Sequence, residues 1–154
     1  MVETVTSMRW PGLAKAGSSA VTMTAAALRK VGLTRQMLSV PTHMIPMDST
    51  VALLDLTAQA SGCETVGLMM AEARSLADFG PISLLLTHQP SIRMALQVIA
   101  QYRHLLNESL GMHIEDVGKT TLIREEIISN YQGSTQQSTD MAIGVLMLIF
   151  RAML

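Results

Sequence analysis

The sequence predicts an α+β fold in which helices dominate and a small antiparallel hairpin supplies the strands. Apolar residues recur at helical spacing through most of the segment from about residue 18 to residue 107. Residues 112–117 instead alternate between apolar and polar, and residues 120–128 favour a strand. The chain then closes on one more apolar helix. Because 49% of the 154 residues are hydrophobic, we expect one domain with a packed core.

The first residues are predicted to form an arm and then a helix. Residues 1–17 contain several Gly and Pro residues and lack clear periodicity, so we expect a loosely ordered arm, with residues 18–154 as a single domain. Ser18 or Ser19 can cap a helix that continues until Gly32, which is a suitable stop. A serine at the start and a glycine at the end therefore mark both boundaries of this first predicted helix.

A short turn and an extended segment are expected next. Thr34 can cap one further helical turn over Arg35–Leu38. His43–Met47 is predicted to be extended, because Pro41 and Pro46 disfavour helical conformations in the residues that precede them.

Four helices are predicted in the middle of the chain, at about 48–61, 64–74, 81–87 and 91–107. Asp48 or Ser49 can begin the first of them, and Gly62 ends it. The fourth helix carries apolar and aromatic residues at helical spacing, which indicates a buried stripe: Ile92, Ala95, Ile99, Tyr102 and Leu106.

The pattern changes to that of a hairpin after Gly111. Residues 112–117 alternate, Gly118-Lys119 can form the turn, and residues 120–128 favour a second strand. A polar connector over residues 130–138 follows. Ser138, or Ser134 before it, is predicted to cap a final helix that reaches the end of the sequence.

The charge pattern argues against nucleic-acid binding by these residues. The net charge is −1 and the basic residues are scattered, whereas phosphate recognition needs clustered Lys and Arg.

The single cysteine, Cys63, fits a reducing compartment, and no secretory signal is evident at the start. The apolar run Met141–Leu154 is shorter than the roughly 20 residues that a membrane span requires. We therefore expect a cytoplasmic protein without a membrane segment.

The residues that could support catalysis or metal binding show no recognisable spacing. The histidines are not spaced as metal ligands, and no nucleophile or phosphate-binding motif occurs. Two hairpin carboxylates could meet as an acid/base pair, although a solvated edge is the interpretation we favour. The carboxylates concerned are Glu108, Glu115, Asp116, Glu125 and Glu126. We predict no metal, no cofactor and no enzymatic activity.

Six short motifs occur in an order that points to a known family. They are Gly32-Leu33, Ile45-Pro46, Val66-Gly67-Leu68, Gly80-Pro81, Pro90-Ser91-Ile92 and Tyr102-Arg103. This order resembles the N-terminal sensing domain of AraC-type transcription regulators, an arabinose-binding-like domain in the subgroup that is not an obvious sugar-binding cupin. The resemblance covers about residues 25–130.

The resemblance implies an effector-sensing and dimerisation domain in which a small molecule binds between helices and favours one arrangement. Regulators of this type continue into two helix-turn-helix units that bind DNA. The sequence stops at Leu154 within an apolar helix, so we expect residues 18–154 to be an incomplete regulatory domain, truncated before that region. Contact with DNA is then expected only through the missing units.

Two sets of residues are candidates for function. Tyr102 and Arg103 could meet a polar or anionic effector in a pocket between helices, although a cation at a helix end is also explained by the helix dipole. The final helix is apolar nearly all round, which predicts a homodimer interface. The interface residues expected there are Met141, Val145, Leu148 and Phe150.

Two further interpretations compete with the sensing domain. The first is a stand-alone helical interaction module that uses the C-terminal apolar helix. The second is an enzyme that acts on a small apolar substrate.

Overall fold

The computed structural model describes residues 7–9, 25–40 and 43–153, and for residues 7–9 the backbone alone. It confirms an α+β fold in which helices predominate. The described elements, in chain order, are β1 (Ser7–Arg9), α1 (Ala25–Lys30), α2 (Arg35–Ser39), β2 (Met44–Pro46), α3 (Met47–Ser61), α4 (Val66–Glu72), α5 (Pro81–Thr87), α6 (Ile92–Tyr102), β3 (Leu110–Val117), β4 (Thr120–Ile127) and α7 (Gln136–Met153). Two 3-10 turns, Leu76–Phe79 and Arg103–Leu105, precede α5 and follow α6.

Several helix ends follow the predicted capping residues, but α3 begins at Met47, before the predicted Asp48 or Ser49, and no side chain caps it. Thr34 Oγ1 accepts a hydrogen bond from Met37 N at 3.2 Å, and Ser91 Oγ accepts one from Met94 N at 3.3 Å. Gly62 ends α3 in the left-handed conformation, with φ of 65°, which a side chain would disfavour. The helix predicted over residues 91–107 is shorter than expected, since its α-helical part ends at Tyr102.

Two small antiparallel sheets lie at different places in the chain. In the first, β1 pairs with β2 and places Met8 opposite Ile45, so the predicted arm contributes one strand. The rest of that arm and the predicted start of the first helix lie outside the described residues. In the second sheet, Val117 lies opposite Thr120, which leaves Gly118-Lys119 as the turn of the predicted hairpin.

The apolar side chains form two clusters, and α7 contacts both. The first core gathers buried residues of α1 to α4, the loops between them and the start of α7: Leu28, Leu33, Leu38, Ile45, Met47, Val51, Leu53, Leu54, Val66, Met70, Ala71 and Met141. The second core gathers residues of the Leu76–Phe79 turn, α5, α6 and the later part of α7: Phe79, Ile82, Leu86, Ala95, Leu96, Ile99, Leu146 and Ile149. Val145 packs against both clusters, so α7 is the element that joins them.

Candidate functional site

The most closely packed contact of α7 is its crossing with α4. A Cβ atom at Gly67 would lie 1.9 Å from the Gln137 carbonyl oxygen, so only glycine fits there. Gly67 N donates to Gln137 Oε1 at 2.9 Å, and Gln137 Nε2 donates to the Glu64 carbonyl at 2.9 Å. One turn further along, a Cβ at Gly144 would lie 2.6 Å from Ala71 Cβ. Small residues therefore bring the two helices into backbone contact.

Arg74 lies at the end of this crossing and is 9% exposed. Its Nη2 atom lies 3.8 Å from Met141 Sδ, and its Nε has no hydrogen-bond partner among the residues that the structure describes. Burial lowers the pKa of the guanidinium, and the nearby charge of Asp78 raises it. An arginine remains charged even so, and the result is a buried cation that the surrounding side chains do not fully satisfy.

Asp78 is close enough to influence Arg74 but is engaged elsewhere. Its Oδ2 accepts hydrogen bonds from Ser75 N at 2.8 Å and Ser75 Oγ at 3.2 Å, which form the capping box of the Leu76–Phe79 turn. The ion pairs found in the described part of the chain are Arg93–Asp116 and Arg124–Glu115, and neither includes Arg74. Asp78 therefore caps this turn and acts on Arg74 through its charge, without an ion pair between the two side chains.

Ser138 is a second buried polar group without a partner near this crossing. It lies one turn before Met141 on α7, it is 1% exposed, and its Oγ makes no hydrogen bond to any described residue. The prediction that Ser138 caps α7 is wrong, because the helix already begins at Gln136. The alternative, Ser134, accepts a hydrogen bond from Gln136 N at 3.2 Å.

The structure places Tyr102 and Arg103 away from this crossing. Tyr102 is half-buried against the second core. Arg103 is exposed, and its Nη1 donates to the Ala100 carbonyl of its own helix at 2.8 Å. An effector contact by these two residues stays a prediction, and the geometry of Arg103 is the one expected from a cation at a helix end.

The hairpin carboxylates do not come together as an acid/base pair. Glu125 lies opposite Met112 and Glu126 opposite Gly111, while Glu115 lies opposite Leu122. Burial raises the pKa of Glu125, whose Oε2 has no partner among the described residues.

At the hairpin end, Asp116 accepts hydrogen bonds from Arg93 and from Thr121 Oγ1. The bond from Arg93, and then that from Thr121, lowers the pKa of Asp116. Across residues 7–9, 25–40 and 43–153, no three His, Cys, Asp or Glu side chains are grouped to hold a metal ion.

The residues predicted for a homodimer interface face different surroundings on α7. Met141 is 4% exposed within the first core, and Leu148 and Phe150 pack partly against the second. The exposed apolar residues of α7 are instead Ile143 and Met147, at 48% and 45%. One strip of this helix therefore faces outward, and a homodimer interface on α7 stays a prediction.

Sequence reasoning overlooked Arg74, although a signal was present. Val66, Met70 and Arg74 are spaced four residues apart, so helical periodicity places Arg74 on the same buried face as the two apolar residues. The contact of Gly67 with α7 was also missed, because nothing in the local sequence shows which distant segment will cross that glycine.

Two buried polar atoms near this crossing, Arg74 Nε and Ser138 Oγ, thus have no partner among the described residues. Residues 23–154 match the family model described as the arabinose-binding domain of AraC transcription regulator, N-terminal. The chain belongs to this family, which makes it a ligand-binding domain of AraC-type regulators. The match confirms the resemblance and extends it beyond residue 130, through all of α7.

Two further findings concern the chain. No curated protein matches it. In the part of the chain that the structure describes, none of the helices has the length and apolar character needed to cross a membrane.

Proposed function

We propose that this chain is the effector-sensing and dimerisation domain of an AraC-type transcription regulator, and that the regulator binds DNA through helix-turn-helix units outside these residues. The family match over residues 23–154 is the observation that carries the proposal. The net charge of −1 and the scattered basic residues support the assignment of DNA contact to another part of the regulator.

The mechanism that we propose is a shift between two packings of α7. This helix contributes Met141 to the first core and Leu146 and Ile149 to the second. A small molecule that binds better to one packing than to the other will raise the population of that packing. The changed position of α7 would then alter how the regulator's DNA-binding units are presented.

The experiment is a thermal-shift screen of the full chain with small molecules. The panel contains pentoses, including arabinose, and small organic acids, each with its uncharged analogue. A ligand present at 100 times its Kd stabilises the folded state by about 2.7 kcal/mol, which raises the Tm of a domain of this size by roughly 5–10 °C. A panel in which no compound raises the Tm would count against a sensing role.

For dimerisation, the exposed strip of α7 is the surface that we propose to pair between two copies. Ile143 and Met147 lie one turn apart, and Leu68 of α4 is exposed beside Gly144. Single replacements Ile143→Glu and Met147→Glu are expected to convert a dimer to a monomer in light scattering. A wild-type chain that is monomeric at every concentration would contradict this part of the proposal.

The exposed strip also favours the second candidate function, a stand-alone interaction module. Such a module would bind its partner through Ile143 and Met147 without any small molecule. The two candidates differ in the screen, because only a sensing domain gains stability from a small ligand.

A further inference from the structure

We infer that the effector of this domain carries a carboxylate or a similar oxyanion, and that Arg74 binds this group between the end of α4 and α7. The inference rests on the proposed sensing function and adds to it a residue and a chemical class of ligand. It stands on the burial of Arg74, on the lack of an ion pair to it among the described residues, and on its place between the two cores.

Burial of Arg74 is the first step. The side chain is 9% exposed and its Nε–H has no acceptor among the described residues. Taking a charged group out of water without a partner is strongly unfavourable, and buried polar groups in proteins are nearly always hydrogen-bonded. The contact of Nη2 with Met141 Sδ does not replace an acceptor, because a thioether sulfur is a weak one. The position therefore has the properties of a site that an anion completes.

The second step concerns Asp78, the carboxylate whose charge raises the pKa of Arg74. Asp78 Oδ2 accepts from both the backbone and the hydroxyl of Ser75. The ion pairs found among the described residues do not join Asp78 to Arg74, so no direct contact with Asp78 neutralises the guanidinium there. An anion from outside the chain can supply that contact.

The third step concerns a neighbouring hydroxyl. Ser138 precedes Met141 by one turn on α7, it is 1% exposed, and its Oγ is also unpartnered in the described part of the chain. A guanidinium offers two parallel N–H groups to a carboxylate, and a serine hydroxyl can donate to a further oxygen. The charge of Arg74 favours an oxyanion over a neutral sugar, which cannot compensate that charge.

The place of Arg74 in the fold gives such a ligand a means of acting. Met70, Ala71 and Met141 beside it belong to the first core, and Leu76 and Phe79 after it pack in the second. An anion held by Arg74 therefore lies where the two cores meet on α7. Its binding changes the electrostatic free energy of one packing of α7 relative to another, as the proposed mechanism requires.

The test uses the full chain with sodium succinate and sodium benzoate as probes, and succinamide and benzamide as neutral controls at equal ionic strength. Two signals are recorded, the Tm and the NMR cross-peak of the Arg74 Nε–H group, which Arg74→Met identifies by its loss. We expect the carboxylates to raise the Tm and move this peak, and the amides to do neither. Arg74→Met should weaken carboxylate binding by about tenfold or more, since it removes a charged hydrogen-bond pair.

The variants also separate a ligand site from a structural role. If Arg74 awaits a ligand, unliganded Arg74→Met is as stable as the wild type or more stable, because an unpaired buried charge has been removed. Should Arg74→Met fold poorly, Arg74→Lys keeps the charge without the Nε–H, and the wild-type cross-peak still gives the answer. A carboxylate response that survives in Arg74→Met, or an Arg74 cross-peak that no carboxylate moves, would overturn the inference.

Arg103→Met is the matched control, because Arg103 is an exposed arginine at the candidate position suggested by the sequence. Its carboxylate response should equal that of the wild type. If Arg103→Met alone abolishes the response, or if only neutral pentoses raise the Tm, sensing stands and the Arg74 site is wrong. If no compound of either class acts, the sensing function fails as well.

Discussion

Two polar interfaces join the C-terminal segment to the N-terminal helices, and they differ in how fully their buried groups are satisfied. The connector interface consists of residues 129–134 against α3. There Asp55, 6% exposed, accepts hydrogen bonds from Tyr131 Oη at 2.9 Å and from Ser134 N at 3.2 Å. Asp48 accepts from Ser129 Oγ at 2.6 Å and from Asn130 N at 2.8 Å. Each of the two carboxylates thus has two donors.

The α4–α7 crossing, a few residues further along, is different. At Gly67 the two helices approach so closely that a Cβ would lie 1.9 Å from the Gln137 carbonyl oxygen. Arg74 Nε and Ser138 Oγ nevertheless have no partner among the described residues. Close packing and incomplete hydrogen bonding at one place are an unusual combination, because the first makes relaxation difficult and the second makes burial costly. The comparison indicates that the connector interface holds the fold together, whereas the crossing is adapted to receive something else.

The largest effect is expected from Gly67→Ala. The new Cβ would meet the Gln137 carbonyl oxygen at 1.9 Å, and backbone on both sides prevents an easy adjustment. We expect a loss of about 3 kcal/mol or more in the free energy of unfolding, measured by urea denaturation. Gly111→Ala is the matched control, since its Cβ would lie 3.5 Å from the Glu126 carbonyl oxygen and should cost little. If both variants were equally stable, the crossing would be looser than its geometry indicates.

A smaller loss is expected from Asp55→Ala, which removes the shared acceptor of the connector interface. Burial and the hydrogen bond to Asp55 raise the pKa of Tyr131, which keeps its hydroxyl a donor. Without the carboxylate, two donors lose their charged acceptor, and we expect about 2 kcal/mol of destabilisation by denaturation.

Tyr131→Phe removes only one of these donors and should cost about 1 kcal/mol. Arg74→Met, at the α4–α7 crossing, is expected to leave the free energy of unfolding of the unliganded protein unreduced. This difference distinguishes the crossing from the connector interface. Equal destabilisation by Asp55→Ala and Arg74→Met would remove the distinction between the two interfaces.

Local signals in the sequence were sufficient for most of the fold. Thr34 and Ser91 cap helices through hydrogen bonds three residues along, and Gly62 ends a helix through its left-handed backbone. The observed bounds of the helix Pro81–Thr87 agree with the predicted ones. The candidate site could not be obtained in this way. Helical spacing puts Arg74 on the buried face of α4, but whether its Nε meets an acceptor among the described residues depends on how α7 covers it. The lack of an acceptor is therefore a property of the three-dimensional arrangement.

The same limit applies to the two functional predictions made from sequence. Tyr102 and Arg103 were chosen because a polar pair ended an apolar helix, and the sequence could not show that Arg103 turns back to its own helix. Met141 was assigned to an interface because α7 looked apolar on every side. The side that faces outward is settled by α4, through the contact of Ala71 with Gly144, two residues far apart in the chain.

The smallest effect is expected from Glu125→Gln, which tests whether an unpartnered group always marks a ligand site. Glu125 lies on the inner face of the hairpin, and its burial raises its pKa above the ordinary value of 4.5. The folded state therefore binds this proton more tightly than the unfolded state does. Glu125 stabilises the fold at a pH below 4.5, and that contribution is lost as the pH rises through the raised pKa.

At pH 7 Glu125→Gln should be more stable than the wild type by less than about 1 kcal/mol, because water still reaches and screens this part-exposed side chain. The difference should shrink as the pH falls towards 4.5, and urea denaturation at a series of pH values measures it. Glu126→Gln, on the exposed face of the same strand, is the control and should follow the wild type. Unlike Arg74, Glu125 can become neutral by taking up a proton, which removes the cost of burying its charge. Its unpartnered oxygen therefore does not indicate a ligand site. A difference that is independent of pH would show that folding does not shift the pKa of Glu125, and the contrast with Arg74 would then lose its basis.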